Sequence, residues 1–202
     1  MATTIATIRA RIRKDLKDED SIRWTDDELD RHIQHAVLDI SQAVPLEAKD
    51  EALVIPTPAS REIDISGVAG LIYVEAVEYP AAEYPKRYRD YKVWANTLEL
   101  LIEETPTAAE SVYLYYGKVH TVDDAASSLP GHLEDLCAVG AGAYAALEWA
   151  SYAINQVNVG GEPTPREFLE WAQRRLDFYH KELNRYGRQS RLKIRQLYAE
   201  PR

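Results

Sequence analysis

The sequence predicts a mainly α-helical α+β fold: a four-helix core, made of an N-terminal αα-hairpin plus two C-terminal helices, with a small inserted antiparallel β-lobe and a C-terminal arm. Three observations predict it. Apolar residues recur at three- and four-residue steps near both ends of the chain, the mark of amphipathic helices. Between residues 52 and 121 the period shortens to alternation. Basic residues then gather at the C-terminus.

The first helix is expected over residues 4–17, where Ile5, Ile8, Ile12 and Leu16 share a face. A polar turn, DEDSIR, leads to Trp24-Thr25-Asp26-Asp27-Glu28-Leu29. Thr25 as N-cap with Glu28 at N3 makes a capping box, and Trp24 and Leu29 stand at the two positions of a hydrophobic staple. Asp26 and Asp27 in the first turn complement the helix dipole. The second helix continues through Leu29, Ile33, Ala36, Val37 and Ile40 to about Val44, where Pro45 stops it.

The β insertion, about 52–121, contains short runs at 53–55, 61–65, 71–79, 92–95, 97–102 and 111–116, separated by Pro and Gly. Val112-Tyr113-Leu114-Tyr115-Tyr116 is its clearest strand. A third helix is expected over 131–157, with Leu133, Leu136, Gly140, Tyr144, Leu147, Ser151 and Ile154 on one seam. Asn158 to Pro163 reads as a flexible break. Thr164-Pro165-Arg166-Glu167 then opens a last helix over 165–186, with Thr as N-cap and Pro at N1. Gly187 marks its expected kink or end. One domain over 1–184 and a basic arm over 185–202 complete the organisation.

Composition bounds the function. With 46% hydrophobic and 28% charged residues in 202, the chain has enough apolar material for a core. Cys137 is the single cysteine, so no disulfide framework exists within the chain. The opening residues lack an uninterrupted apolar stretch, so no signal peptide is expected and a cytosolic protein is. Residues 136–154 are Ala- and Gly-rich around Glu148 and read as a buried helix, not a membrane span. A net charge of −9 argues against a simple nucleic-acid binder. That charge is uneven: residues 185–202 carry +5 and the preceding 184 residues −14. The skew to 13 Tyr and 4 Trp against 2 Phe suits surfaces that become buried against partners.

Motifs for chemistry are scarce. His32 and His35, three apart on the second helix, could begin a metal site, but no second cluster supplies further ligands; polar face or subunit-contact histidines are the expectation. Gly140-Ala-Gly142-Ala-Tyr-Ala145 fits a dinucleotide pattern only on paper, because it falls in mid-helix and not after a strand. Cys137 in an apolar helix reads as a buried small residue. No catalytic residue, cofactor or metal is expected. The basic tail has two readings, a salt-sensitive contact with DNA phosphates or an arm that folds onto a protein through Leu192, Ile194, Leu197 and Tyr198. A solvated end without a role is the alternative to both.

The order of parts resembles the head-to-tail adaptor (connector) proteins of tailed bacteriophages. The resemblance rests on the hairpin motif IRWTDDELDRHIQHAVLDIS, the Tyr-rich strand VYLYYGKVH, the stretch SSLPGHLEDLCAVGAGAYAAL and the final amphipathic helix with its charged tail. It implies a non-enzymatic virion protein in a homo-oligomeric ring, usually of about twelve copies with head-to-tail contacts. Such a ring docks under the portal protein, extends the channel for genomic double-stranded DNA without reading its sequence, and offers a platform to a tail, nozzle or stopper protein. Its place is the virion head–tail junction, reached by assembly in the bacterial cytoplasm without a membrane. The C-terminal segment would reach the portal, which assigns Arg188, Arg191, Leu192, Lys193, Ile194, Arg195, Leu197 and Tyr198 to portal binding. Another head- or tail-completion ring protein, and a DNA-packaging or non-specific DNA-binding factor, are the alternatives.

Overall fold

The computed structural model describes residues 3–153 and 165–197, the last eight by backbone alone. They divide into two compact units, Met1–Val44 with His120–Arg202, and Pro45–Val119.

The first unit is helical. α1 (Ile5–Leu16) begins where the Thr4 hydroxyl accepts from the Thr7 N–H, and ends at Lys17 in the left-handed region, φ 56°. α2 (Asp26–Ala43) carries the expected capping box in both directions: Thr25 accepts from the Glu28 N–H, and the Glu28 carboxylate accepts from the Thr25 N–H. Its helical pattern stops at Val44, which leaves the helical region (φ −137°, ψ 78°) as the α region is disfavoured for a residue before proline. α3 (Gly131–Ala153) is apolar nearly all round, as a helix packed on several sides must be. It packs against α1, α2 and α4 (Pro165–Leu197).

Small residues set the approach distances. A Cβ on Gly140 would lie 2.6 Å from the ring of Tyr179 on α4, so only glycine fits there. Gly187 does not end α4, which runs on to Leu197. A Cβ there would sit 3.1 Å from the Ala43 carbonyl oxygen, so this glycine serves close packing on α2 and not a turn. Ile154, the stretch 158–163 and the Thr164 cap lie outside the described residues.

The second unit is antiparallel. β1 (Leu46–Asp50), β7 (Tyr113–Lys118), β3 (Leu71–Glu78) and β4 (Tyr88–Arg89) form one sheet in that order; β2 (Glu62–Asp64), β6 (Thr97–Leu100) and β5 (Tyr91–Trp94) form another. Ile55, Ile63, Val77, Leu98, Leu100 and Leu114 are at the centre of its core.

Two strand expectations change. Residues 53–55 form no strand: Val54 makes one isolated bridge to Ser111, and Pro56 and Pro58, which cannot donate to a ladder, follow at once. β1 begins at Leu46, ahead of the expected start at 52. Its Glu47 and Lys49 point out and Leu46 and Ala48 in, the charged alternation of an edge strand.

Candidate functional site

The hairpin motif works as an internal clamp. The Arg13 guanidinium is buried and donates to the Asp18 carboxylate (3.1 Å), the Trp24 carbonyl (3.0 Å) and Asp26 (2.7 Å). Asp18 accepts in turn from the N–H groups of Ile22, Arg23 and Trp24, which fixes the turn between the helices. Arg9 spans Asp26 and Asp30. Trp24 and Leu29 are buried in one core, and the Trp24 indole donates to the Ala145 carbonyl on α3. Asp27 is exposed. The motif therefore acts on folding, Asp27 only through its charge in the first turn of α2.

His32 and His35 go to separate partners. His32 is buried, with Nε2 2.8 Å from Glu148, which also pairs with Arg31. Burial holds its imidazole below the ordinary value, against the opposing pull of Glu148. His35 stacks on Tyr144, 4.3 Å between centroids, whose hydroxyl donates to Asp39. Among the described residues no cluster of His, Cys, Asp and Glu is placed to hold a metal. Burial pushes the Cys137 thiol up to about 12, which leaves it un-ionised at neutral pH and a poor nucleophile. Among the described residues no helix is long and apolar enough to cross a membrane.

Of the arm, Arg188 is exposed on α4. The side chains of Arg191, Leu192, Lys193, Ile194, Arg195 and Leu197, and Tyr198 entirely, lie outside the described residues, although α4 carries the backbone to Leu197.

Two features are not legible in the sequence. On the helical unit, Ile22, Arg23, Phe168 and Trp171 line a cleft of about 620 Å³. Arg23 lies 5.3 Å from the Trp149 ring and 5.4 Å from Phe168, placed for cation–π attraction. Ile22, 82% exposed, is an apolar side chain set in a polar turn, and that mismatch is the available signal. On the β unit, Tyr84 and Trp94 are exposed, Trp94 beside the Ala95-Asn96 turn.

No family model matches the chain, and no curated protein matches it. Among solved structures it is similar to a chain from the neck of an empty GTA particle computed with C6 symmetry. The two share 15% identity, with 85% of this chain and 88% of that one covered and a TM-score of 0.30. At that score the likeness carries no argument about function.

Proposed function

We propose that the chain is a structural subunit of the head–tail junction of a tailed bacteriophage, an adaptor that forms a ring under the portal. There it extends the DNA channel and offers the tail its attachment platform. The observation that carries the reading is the order of parts: a clamped hairpin, a β unit inserted between α2 and α3, an Ala-rich α3, and α4 continuing past Leu183 into a basic stretch.

Surface chemistry supports it. A ring closed by head-to-tail contacts needs two different surfaces on each subunit. The helical unit exposes Ile22, Tyr152 and Phe178, and the β unit exposes Tyr84 and Trp94, so each offers apolar anchors of its own. The acidic body suits a channel wall, because like charge keeps passing DNA from adhering. The arm from Arg188 onward is assigned to the portal, with its basic residues alternating with Leu192, Ile194 and Leu197.

Electron microscopy of the protein mixed with its portal tests the reading. Rings seated on the portal are expected, and absence of both rings and co-assembly refutes it. Deleting residues 188–202 should leave a folded body that no longer joins the portal; unaltered joining removes the arm from the mechanism.

A further inference from the structure

The two faces of α4 differ in kind. Its inner face carries Ala172, Tyr179 and Leu183, all buried in the helical core. On the opposite side, positions 174, 178, 181, 185 and 188 follow one another in steps of four and three, so they lie on one line along the helix. The side chains there are Arg174, Phe178, Lys181, Arg185 and Arg188, and each is exposed. At a rise of about 1.5 Å per residue the line is about 21 Å long. It exists because α4 continues through Gly187, which keeps Arg188 in register with Arg174 and Lys181.

Few of these cations are neutralised within the subunit. Arg174 donates to the Glu170 carbonyl of its own helix, and neither it nor Lys181 nor Arg188 has an ion pair among the described residues. Arg185 pairs with Glu182, and Asp177 is the one other acid between positions 174 and 188. That stretch holds five cations against two acids in a chain of net charge −9.

The chemistry of the line selects a polyanion over a protein face. Protein interfaces are held by apolar anchors in a core from which charge is depleted. Here Phe178 is the one apolar side chain among four long cations, each of which would lose hydration and rotamer freedom in a dry contact. DNA phosphates require the opposite: exposed cations set along a rod, with affinity from released counterions and not from burial. A straight helix face meets that need. At about 0.1 M salt, screening over about 10 Å confines repulsion from the acidic remainder of the chain.

We propose that the outer face of α4, from Arg174 to Arg188, holds the phosphate backbone of double-stranded DNA without reading its sequence. The inference rests on the charge of one subunit and does not need the ring reading. Arg188 is shared with the arm given to the portal, whereas Arg174 and Lys181 belong to the DNA contact alone.

Fluorescence anisotropy of two labelled duplexes of unrelated sequence, each longer than the line and titrated with the full chain, tests it. Equal affinities are expected, with Kd of about 1–100 µM at low salt. Four phosphate contacts should weaken binding about a hundredfold or more between about 50 and 200 mM salt. R174Q with K181Q should lower the slope of log affinity on log salt by about two. Their thermal midpoint should not change, since both side chains are exposed and Gln has a similar helix propensity. R87Q with K92Q, which removes two exposed cations of the β unit, should leave binding as it is. No binding at about 50 mM salt, a slope that R174Q with K181Q leaves intact, or an equal loss in R87Q with K92Q overturns the proposal. Tighter binding of poly-glutamate than of duplex overturns it too, by giving the line to an acidic protein. R174Q with K181Q should still form rings on the portal, so loss of DNA binding and loss of assembly are separate results.

Discussion

Gly140 shows how far a single residue can be read without its neighbours. Its place in a helical pattern is plain from sequence, and so is the inference that it thins the helix. Which atom uses the space is not, because Tyr179 arrives from a helix some forty residues on. That ring is fully buried and its hydroxyl donates to the Ala36 carbonyl at 3.0 Å, so it has nowhere to retreat. G140A therefore sets a gain in helix propensity of about 1 kcal/mol against overpacking of about 1–3 kcal/mol. The expected result is a net loss of stability in urea unfolding; equal or greater stability would show that the ring can move. The buried Arg13–Asp18 pair was equally hidden, since both residues look like ordinary solvated charges in RIRKDLKDED.

At the scale of elements, local chemistry decided most boundaries. The capping box at Thr25 and Glu28 forms as the sequence predicts because all its parts lie within four residues. T25A removes the acceptor for the Glu28 N–H and should cost about 1 kcal/mol, while T25S retains most of that. Thermal unfolding of the two variants checks it, and equal midpoints would mean that water replaces the cap. Strands were less legible. β1 looks like a polar linker because an edge strand hides its alternation under protective charge, and the run at 53–55 looks like a strand although it makes one isolated bridge and is cut short by Pro56. Gly187 misleads for a related reason. Glycine ends helices through backbone freedom and fills them at close contacts, and sequence does not distinguish the two uses.

At the scale of the molecule, buried histidines set an acid limit on stability. His120 is 3% exposed, with Nε2 3.0 Å from the Val44 carbonyl and Nδ1 3.1 Å from the Ser128 hydroxyl. That network assigns the neutral tautomer, Nε2–H donating to Val44 and Nδ1 accepting from Ser128. Burial lowers the pKa of His120, and of His32, below the ordinary value. The unfolded chain then binds protons first, so this stability is complete above about pH 6.5 and is lost as pH falls through that value towards the folded pKa values. Urea unfolding of the helical unit, followed by Trp24, Trp149 and Trp171, should show a falling midpoint from neutral pH towards about pH 5. H120N should flatten that slope, and an undiminished slope would assign it elsewhere.

The sequence by itself determined the fold class, the four helices and the capped hairpin, because period, capping and turn chemistry are properties of residues within a few positions of one another. It also carried the family resemblance, which is a matter of order along the chain. Only the tertiary structure decided that Arg13 and Asp18 are buried partners, that Gly140 and Gly187 exist for Tyr179 and Ala43, and that β3 and β5 line one cleft. Each of these depends on how separate elements meet, and pairing at a distance leaves no period in the sequence to read.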